Sequence, residues 1–268
     1  MIEGGNTIKR LLSAGVALPL LILLILKGSV FLFSIFICLL AFLGVFEFCR
    51  MALPQRVLPG VATAAFASIL PYLFYIRSWH YLLVAITVYL LTSSIYFLFR
   101  FNDIRQVVAE CGALSFSILY VPLLLGYLAM LRAGHLGGKW LFLMMFIVMC
   151  GDSAAYYLGS LFGRRKLYPA VSPNKSIEGA LGGLAGSLVG ALVFRYLFFP
   201  EIVVPLCLVT ALVVGAAGQV GDLFESLLKR SCGVKDSGNI IPGHGGVLDR
   251  LDSILFAAPV IWFFSTLM

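Results

Sequence analysis

Long runs of apolar residues, separated by short polar loops, organise almost the whole chain. An α-helix needs roughly 20 mostly apolar residues to cross the ~30 Å hydrocarbon core of a bilayer. Runs of about that length predict nine membrane-spanning helices, which lie near residues 11–26, 30–49, 58–76, 80–99, 112–131, 140–162, 179–199, 202–228 and 251–267. The pattern therefore predicts an all-α integral membrane protein.

Composition agrees with this interpretation and limits the partners that the charge could imply. Hydrophobic residues make up 61% and charged residues 12% of the chain, whereas soluble domains carry about 25% charged residues. The formal net charge of +7 comes from bases in short loops between apolar runs, where membrane orientation and anionic lipid explain it. We therefore expect contact with membrane lipid and no nucleic-acid partner.

The distribution of lysine and arginine predicts the orientation of the helices. If the N-terminus is cytoplasmic, fourteen of the 19 basic residues lie on the cytoplasmic side, as the positive-inside rule requires. An odd number of spans then places Met268 outside. The first run, after Lys9 and Arg10, imitates a secretory signal, but Lys27-Gly28 follows it in place of a small-residue cleavage site, so we interpret it as a membrane anchor.

Polar residues that could carry chemistry are concentrated in the second half of the chain. We therefore divide the sequence into a scaffold of transmembrane helices, residues 1–138, and a transmembrane catalytic region, residues 139–268. Near the end of the eighth run, polar residues recur at spacings of three and four, which places them on one arc of a helix. These residues are Asp222, Glu225, Ser226, Lys229 and Arg230.

A glycine-rich loop separates this polar arc from the last apolar run. Glycines at 238, 243, 245 and 246 would let backbone amides approach an anion closely. Asp249 and Asp252 follow, three residues apart, where the last run begins. Ionisable groups at the mouth of a membrane span are costly and usually functional.

Two further segments precede the loop. Asp152 lies in the middle of an apolar run, which is typical of a functional site or of a polar contact between helices. In the segment 172–179, Pro173 prevents a helix before it, and Ser176, Glu178 and Gly179 fit either a functional motif or a plain helix cap. In the following run, Gly182, Gly186 and Gly190 predict close packing against a neighbouring helix.

The C-terminal region resembles the phosphatidate cytidylyltransferase (CDP-diacylglycerol synthase) family. The family signature matches Ser226-x-x-Lys229-Arg230, Lys235-Asp236-x-Gly238 and Pro242-x-His244-Gly245-Gly246-x-x-Asp249-Arg250-x-Asp252. The family also carries stretches similar to Asp152-x-x-Ala155-Tyr156 and to Ser172-Pro173-x-Lys175-Ser176-x-Glu178-Gly179. Asn174 and Ser176 replace residues that are commonly Lys and Thr. The resemblance covers roughly residues 140–260; before residue 138 the match is mainly in hydropathy and in features such as Glu47.

The resemblance implies an enzyme that joins CTP and phosphatidate into CDP-diacylglycerol and pyrophosphate, with Mg²⁺, in phospholipid biosynthesis. It also implies a homodimer in the bacterial cytoplasmic (inner) membrane. The distribution of Lys and Arg places the signature loop, and with it the active site, on the cytoplasmic side. The expected catalytic residues are Lys229, Asp249, Asp222 and Arg250. The expected substrate-binding residues are Ser172, Lys175, Ser226, Arg230, Lys235, His244, Gly245 and Gly246. For His244 the alternative is a hydrogen bond to a loop carbonyl.

The expected metal ligands are Asp222, Asp249, Asp252 and Asp152. Three or four carboxylates around one Mg²⁺ would leave excess negative charge beside anionic substrates, so we expect a second cation, Mg²⁺ or K⁺. The nearest alternative is a CTP-dependent lipid-alcohol kinase, which would transfer the γ-phosphoryl group. An anion transporter is the alternative from another class, but it would be expected to show paired repeats or interrupted helices in both halves.

Overall fold

The structure is a computed structural model that describes residues 15, 18–241, 243 and 245–268. Helices account for most of these residues, with one 3₁₀ turn, Ile104–Gln106, and two short strands. The helices are α1 (Leu18–Lys27), α2 (Val30–Ala52), α3 (Val57–Ala67), α4 (Leu70–Tyr75), α5 (Trp79–Arg100), α6 (Val107–Ala133), α7 (Gly137–Phe162), α8 (Ile177–Phe198), α9 (Val204–Ser231) and α10 (Leu248–Ser265). The strands are β1 (Lys166–Tyr168) and β2 (Ser172–Ser176).

Seven helical segments of the described residues are long and apolar enough to cross a membrane. They are Val30–Ala52, Val57–Tyr75, Trp79–Arg100, Ile104–Ala133, Gly137–Phe162, Ile177–Phe198 and Val204–Ser231. The segment Val57–Tyr75 contains both α3 and α4, which part at Ser68 and Ile69. Two further helices are not among the seven. Helix α1 is described only over Leu18–Lys27, and α10 carries three charged residues near its start, Asp249, Arg250 and Asp252.

The prediction of an all-α membrane protein is confirmed in its coarser form: the described residues are nearly all helical, and seven of their helical segments are long and apolar enough to cross a membrane. The count of nine spans and the placement of the two termini stay predictions. The pair Lys9 and Arg10, on which the first anchor was argued, lies outside the described residues.

The first compact unit contains the described residues up to Ala133 together with Asp236–Asp249. In it, α2 packs against α3, α4 and α6. Arg56, just before α3, is only 7% exposed. It forms a bidentate ion pair with Glu110 of α6, in which Nη2 of Arg56 lies 2.8 Å from Oε2 of Glu110. The unit therefore includes a segment of the C-terminal signature. The predicted division into a scaffold, residues 1–138, and a catalytic region, residues 139–268, stays a prediction.

The second unit contains Gly134–Lys235 and Arg250–Met268. Its helices α7 and α8 lie very close together, because α8 presents glycines to α7. A Cβ atom on Gly186 would lie 2.4 Å from the Cβ of Ala154, and one on Gly190 would lie 2.7 Å from the Cβ of Cys150. The predicted packing role of the glycine series is confirmed.

A two-stranded antiparallel hairpin, β1 with β2, connects α7 to α8. Lys166 pairs with Ser176, and Tyr168 pairs with Ser172. The sequence did not predict these strands, although Pro173 favours an extended backbone at the residue before it and is tolerated in an edge strand. The hairpin places the segment 172–176 beside the helices of the second unit.

Candidate active site

A cavity of about 570 Å³ lies in the second unit and collects several of the predicted site residues. Asp152 of α7, Asp222 of α9 and Lys175 of β2 line it. The polar lining also includes Ser172, Asn174 and Gln219, while the apolar lining includes Tyr156, Leu167 and Leu223. One cavity therefore offers both charged groups and an apolar wall.

Three carboxylates, which we call the acidic cluster, come together in this unit: Asp152, Asp222 and Asp252. Asp252 lies close enough to Asp222 and Asp152 for their negative charges to repel one another. The Nζ of Lys175 lies 2.7 Å from Oδ2 of Asp222, and about a third of each side chain is exposed. The cluster is therefore only partly compensated by the chain's own cations.

Gly221 explains how α9 and α10 approach each other at the acidic cluster. A Cβ atom at this position would lie 2.5 Å from the backbone oxygen of Asp252 and 3.1 Å from Cβ of Phe256. Any side chain at residue 221 would therefore push α10 away from Asp222. The absence of a side chain next to Asp222 lets the two acids face each other.

Lys229 lies one turn after Glu225 on α9 and binds it. Its Nζ is 3.1 Å from Oε1 of Glu225, a residue that is fully buried. Lys229 also acts electrostatically on Asp252. The structure therefore places this predicted catalytic lysine next to the acidic cluster.

The acids of the cluster could provide part of a metal site. Among the described residues, no group of three or more His, Cys, Asp or Glu side chains is arranged so that it could hold a metal ion by itself. Mg²⁺, however, is usually bound by one or two carboxylates, with waters and substrate phosphates as its other ligands. The carboxylates of the cluster fit that mode of binding, and their mutual repulsion would be relieved by a cation.

The segment 172–179 both lines the cavity and caps α8, and its Ser176 does both. Ser172 and Lys175 line the cavity. Ser176 is the N-cap of α8 and accepts a hydrogen bond from the amide of Gly179 at 3.1 Å, while Glu178 accepts from the amide of Arg164 at 3.0 Å. The cap interpretation is thus confirmed for Ser176, and Glu178 closes the end of α7 rather than the cavity.

The glycine loop, which we define as Asp236–Asp249, belongs to the first unit. In it, Oδ2 of Asp249 accepts three hydrogen bonds of 2.9 Å, from the amide and the hydroxyl of Ser237 and from the amide of Gly246. Gly245 has a φ of +85°, which favours glycine, and a Cβ there would lie 2.9 Å from Asp249. The predicted approach of loop amides to an anion occurs here, with Asp249 itself as the anion.

The remaining candidates lie on exposed or partly exposed surface. Ser226 is half-buried on α9, and the guanidinium of Arg230 donates to the carbonyl of Val234 at 3.1 Å. Lys235 and Arg250 are exposed. His244 lies outside the described residues.

Sequence reasoning missed Gln219 and assigned no role to Glu47, although both have clear structural positions. Gln219, one turn before Asp222, lines the cavity and donates its side-chain amide to the carbonyl of Ala180 at 3.0 Å. Its spacing of three from Asp222 would have placed it on the polar arc. Glu47 contacts the glycine loop, and its only sequence signal was that it is a lone acid at the end of an apolar run.

Comparison with known proteins agrees with the resemblance. The family model described as the cytidylyltransferase family matches residues 8–268. A phosphatidate cytidylyltransferase of Staphylococcus saprophyticus is 34% identical over 258 residues, which cover 94% of this chain and 96% of the relative. One from Staphylococcus aureus (strain COL) is 33% identical with the same coverage. One from Bacillus subtilis (strain 168) is 41% identical over 155 residues, which span only 58% of each protein.

Proposed function

Because the chain belongs to the cytidylyltransferase family, we propose that it is a phosphatidate cytidylyltransferase. It transfers the cytidylyl group of CTP to phosphatidate and so forms CDP-diacylglycerol and pyrophosphate. The observation that carries this proposal is the similarity to phosphatidate cytidylyltransferases over 94% of the chain. The helices that are apolar enough to cross a membrane suit an enzyme whose substrate and product are lipids.

The chemistry of the transfer explains why the site needs cations more than a base. A phosphate monoester oxygen of phosphatidate attacks the α-phosphorus of CTP, and the bond from that phosphorus to the oxygen that bridges to the β-phosphorus breaks. No strong base is needed, since a phosphomonoester with a second pKa near 6 is already mostly dianionic at pH 7. The barrier is the meeting of two anions, so catalysis rests on positive charge and positioning.

The cavity of the second unit is the proposed place of this reaction. Lys175 binds a substrate phosphate there in exchange for its ion pair with Asp222, and Lys229, beside the acidic cluster, stabilises the charge that develops on the leaving pyrophosphate. Ser172 and Gln219 offer neutral hydrogen-bonding groups on the same lining. The apolar wall with Tyr156 and Leu223 suits a substrate that carries acyl chains.

Mg²⁺ is the proposed metal, with Asp222 and Asp252 as its first candidate ligands and Asp152 as a third. When bound, it would neutralise phosphate charge on CTP and phosphatidate. Three acids exceed what one Mg²⁺ usually takes, and this excess supports a second cation, Mg²⁺ or K⁺. The proposal that Asp249 is a further metal ligand rests on the family motif. The motif also supports a role in substrate binding or catalysis for seven other residues: Ser226, Arg230, Lys235, His244, Gly245, Gly246 and Arg250.

The finer features of location and assembly are also part of the proposal. The relatives are bacterial, which supports the cytoplasmic (inner) membrane as the location. The excess of Lys and Arg in the loops assigned to the inner side supports a cytoplasmic active site, where CTP is found. A homodimer is proposed from the family resemblance alone.

An assay with labelled CTP tests the proposal against its alternatives. The purified protein is incubated in detergent with phosphatidate, Mg²⁺ and CTP labelled on either the α- or the γ-phosphate. Cytidylyl transfer puts the α-label into lipid and the γ-label into pyrophosphate, in equal amounts. A γ-label found in lipid would instead indicate a lipid kinase, and no labelled lipid with either form would overturn the assignment as an enzyme of this class.

A further inference from the structure

Glu47 is a buried acid that neither the family signature nor the cavity explains. It lies near the end of α2, in the first unit, and is only 2% exposed. A carboxylate removed from water in this way is costly unless hydrogen bonds compensate it. Its partners therefore indicate why the chain keeps an acid at this position.

Those partners belong to the glycine loop, about 190 residues further along the chain. Oε2 of Glu47 accepts a hydrogen bond of 2.8 Å from the amide of Leu248, the first residue of α10. The amides of the first helical turn have no partner within the helix, and a negative charge stabilises them. Glu47 thus supplies the cap for the helix that carries Asp249.

The backbone of the glycine loop fits closely around this carboxylate. A Cβ atom on Gly238 would lie 2.5 Å from Oε1 of Glu47, and one on Gly246 would lie 2.6 Å from Oε2. Both glycines are therefore required in order that the loop can reach the acid. Two glycines of the signature have a packing explanation that does not involve a substrate.

Ser237 connects Glu47 to Asp249. Its hydroxyl lies 2.9 Å from Oδ2 of Asp249 and 3.4 Å from Oε2 of Glu47, while its amide also donates to Asp249. A hydroxyl has one proton, so the shorter distance assigns it to Asp249. The Ser237 hydroxyl therefore donates to Asp249 while it still contacts Glu47. A displacement of Glu47 would reach Asp249 through this serine and through Leu248, the residue directly before Asp249.

We propose that Glu47 is a positioning residue for cytidylyl transfer. It fixes the glycine loop and the first turn of α10, and it thereby sets the orientation of Asp249, without touching the substrates. This inference rests on the proposed function, in which Asp249 and the residues beside it take part. Removal of such an outer partner typically lowers activity by about 10 to 100-fold.

The test compares Glu47→Gln with Glu110→Gln, a matched change at a second acid that is buried among the described residues of the first unit. Turnover and KM for CTP are measured on each protein, and amide hydrogen exchange is followed in peptides that cover 236–249 and 166–176. Glu47→Gln is expected to lower kcat by about 10 to 100-fold with KM unchanged. It should also speed exchange in 236–249 and leave the hairpin peptide as in the wild type. Glu110→Gln should change neither the kcat of the folded protein nor the exchange in 236–249.

Two results would overturn the inference. One is a wild-type kcat in Glu47→Gln, and the other is an equal acceleration of exchange in both peptides, which would mark a general loss of stability. If Glu47→Gln does not fold, Ser237→Ala replaces it, since this variant keeps both acids and removes only the shared hydroxyl; unchanged kcat and exchange there would also contradict the inference. If the wild type does not transfer cytidylyl groups, the proposed function fails, and the exchange data still decide whether Glu47 holds the loop.

Discussion

The carboxylates of the acidic cluster and those of the glycine loop are compensated in opposite ways. At the glycine loop, Asp249 accepts three hydrogen bonds, and Oε2 of Glu47, on α2, accepts the amide of Leu248. In the cluster, Asp222 and Asp252 repel each other; Lys175 pairs with Asp222, and Asp252 has the amide of Ser253 and the charge of Lys229 near it. The comparison teaches that these acids differ in their partners: Asp249 and Glu47 accept hydrogen bonds that hold the backbone, whereas the acids of the cluster face one another, as the proposed cation site requires.

This difference has an energetic reason. A folded chain stabilises itself when it gives a carboxylate hydrogen-bond donors, and it loses stability when it gathers like charges. An arrangement that costs stability persists where function requires it. We therefore expect substitutions in the two regions to separate activity from stability.

The largest expected effect is the loss of activity in Asp222→Asn. If this acid holds a cation that stabilises the transition state, turnover should fall by roughly 100 to 1,000-fold. Thermal unfolding in detergent should stay near the wild-type temperature, because the change removes a partly exposed ion pair, worth about 0–1 kcal/mol, and also relieves repulsion.

The corresponding variant in the glycine loop is Asp249→Ala, which should have a lower free energy of unfolding than the wild type. It leaves the amides of Ser237 and Gly246 without their acceptor, and each unsatisfied buried donor costs about 1–3 kcal/mol. If Asp222→Asn instead unfolded at a much lower temperature and Asp249→Ala did not, the comparison between the two regions would be wrong.

A smaller loss is expected for Lys175→Ala. Removal of this cation from the cavity should lower turnover by on the order of 100-fold, because one contact to a substrate phosphate disappears. Lys166→Ala, in the paired strand of the same hairpin, serves as control and should keep wild-type turnover, since Lys166 is exposed and does not line the cavity. An equal loss of turnover in both variants would contradict a specific phosphate contact of Lys175 and would indicate that the total positive charge of the hairpin matters.

The smallest expected effect is a change in thermal stability, and it tests the close contact between α9 and α10. Gly221→Ala introduces a methyl group 2.5 Å from the backbone oxygen of Asp252, and such overpacking typically costs about 1–3 kcal/mol. Gly112→Ala, where a Cβ would meet nothing within 4 Å, should be neutral or raise stability by up to about 1 kcal/mol. Unfolding temperatures that do not differ between the two variants would contradict the role of Gly221.

Much of the architecture could be predicted because it depends on local pattern. Apolar runs predicted the helices, the spacing of Gly182, Gly186 and Gly190 predicted the packing of α8, and Ser176 was one of the cap candidates. The split of the third run into α3 and α4 was not predicted, although Pro71 lies in the first turn of α4, a position that proline favours.

The candidate site was predictable only in part, since side-chain partners depend on contacts between distant segments. The spacing of Asp249 and Asp252 suggested that both are metal ligands. It could not show that amides of the loop donate hydrogen bonds to Asp249. In the same way, nothing near Glu47 in sequence indicates that its partner is Leu248. Gln219 was overlooked because it is uncharged, although its position on the helix was available from the sequence.

The central claim is that the acidic cluster is a cation site, and direct measurement of metal binding tests it best. Mn²⁺, as a spectroscopic substitute for Mg²⁺, is titrated into the purified wild type, Asp222→Asn, Asp252→Asn and Glu110→Gln proteins, with free Mn²⁺ followed by electron paramagnetic resonance. The account predicts that the wild type and Glu110→Gln bind Mn²⁺ equally, and that both cluster variants bind it much more weakly. Wild-type affinity and stoichiometry in Asp222→Asn would contradict the account.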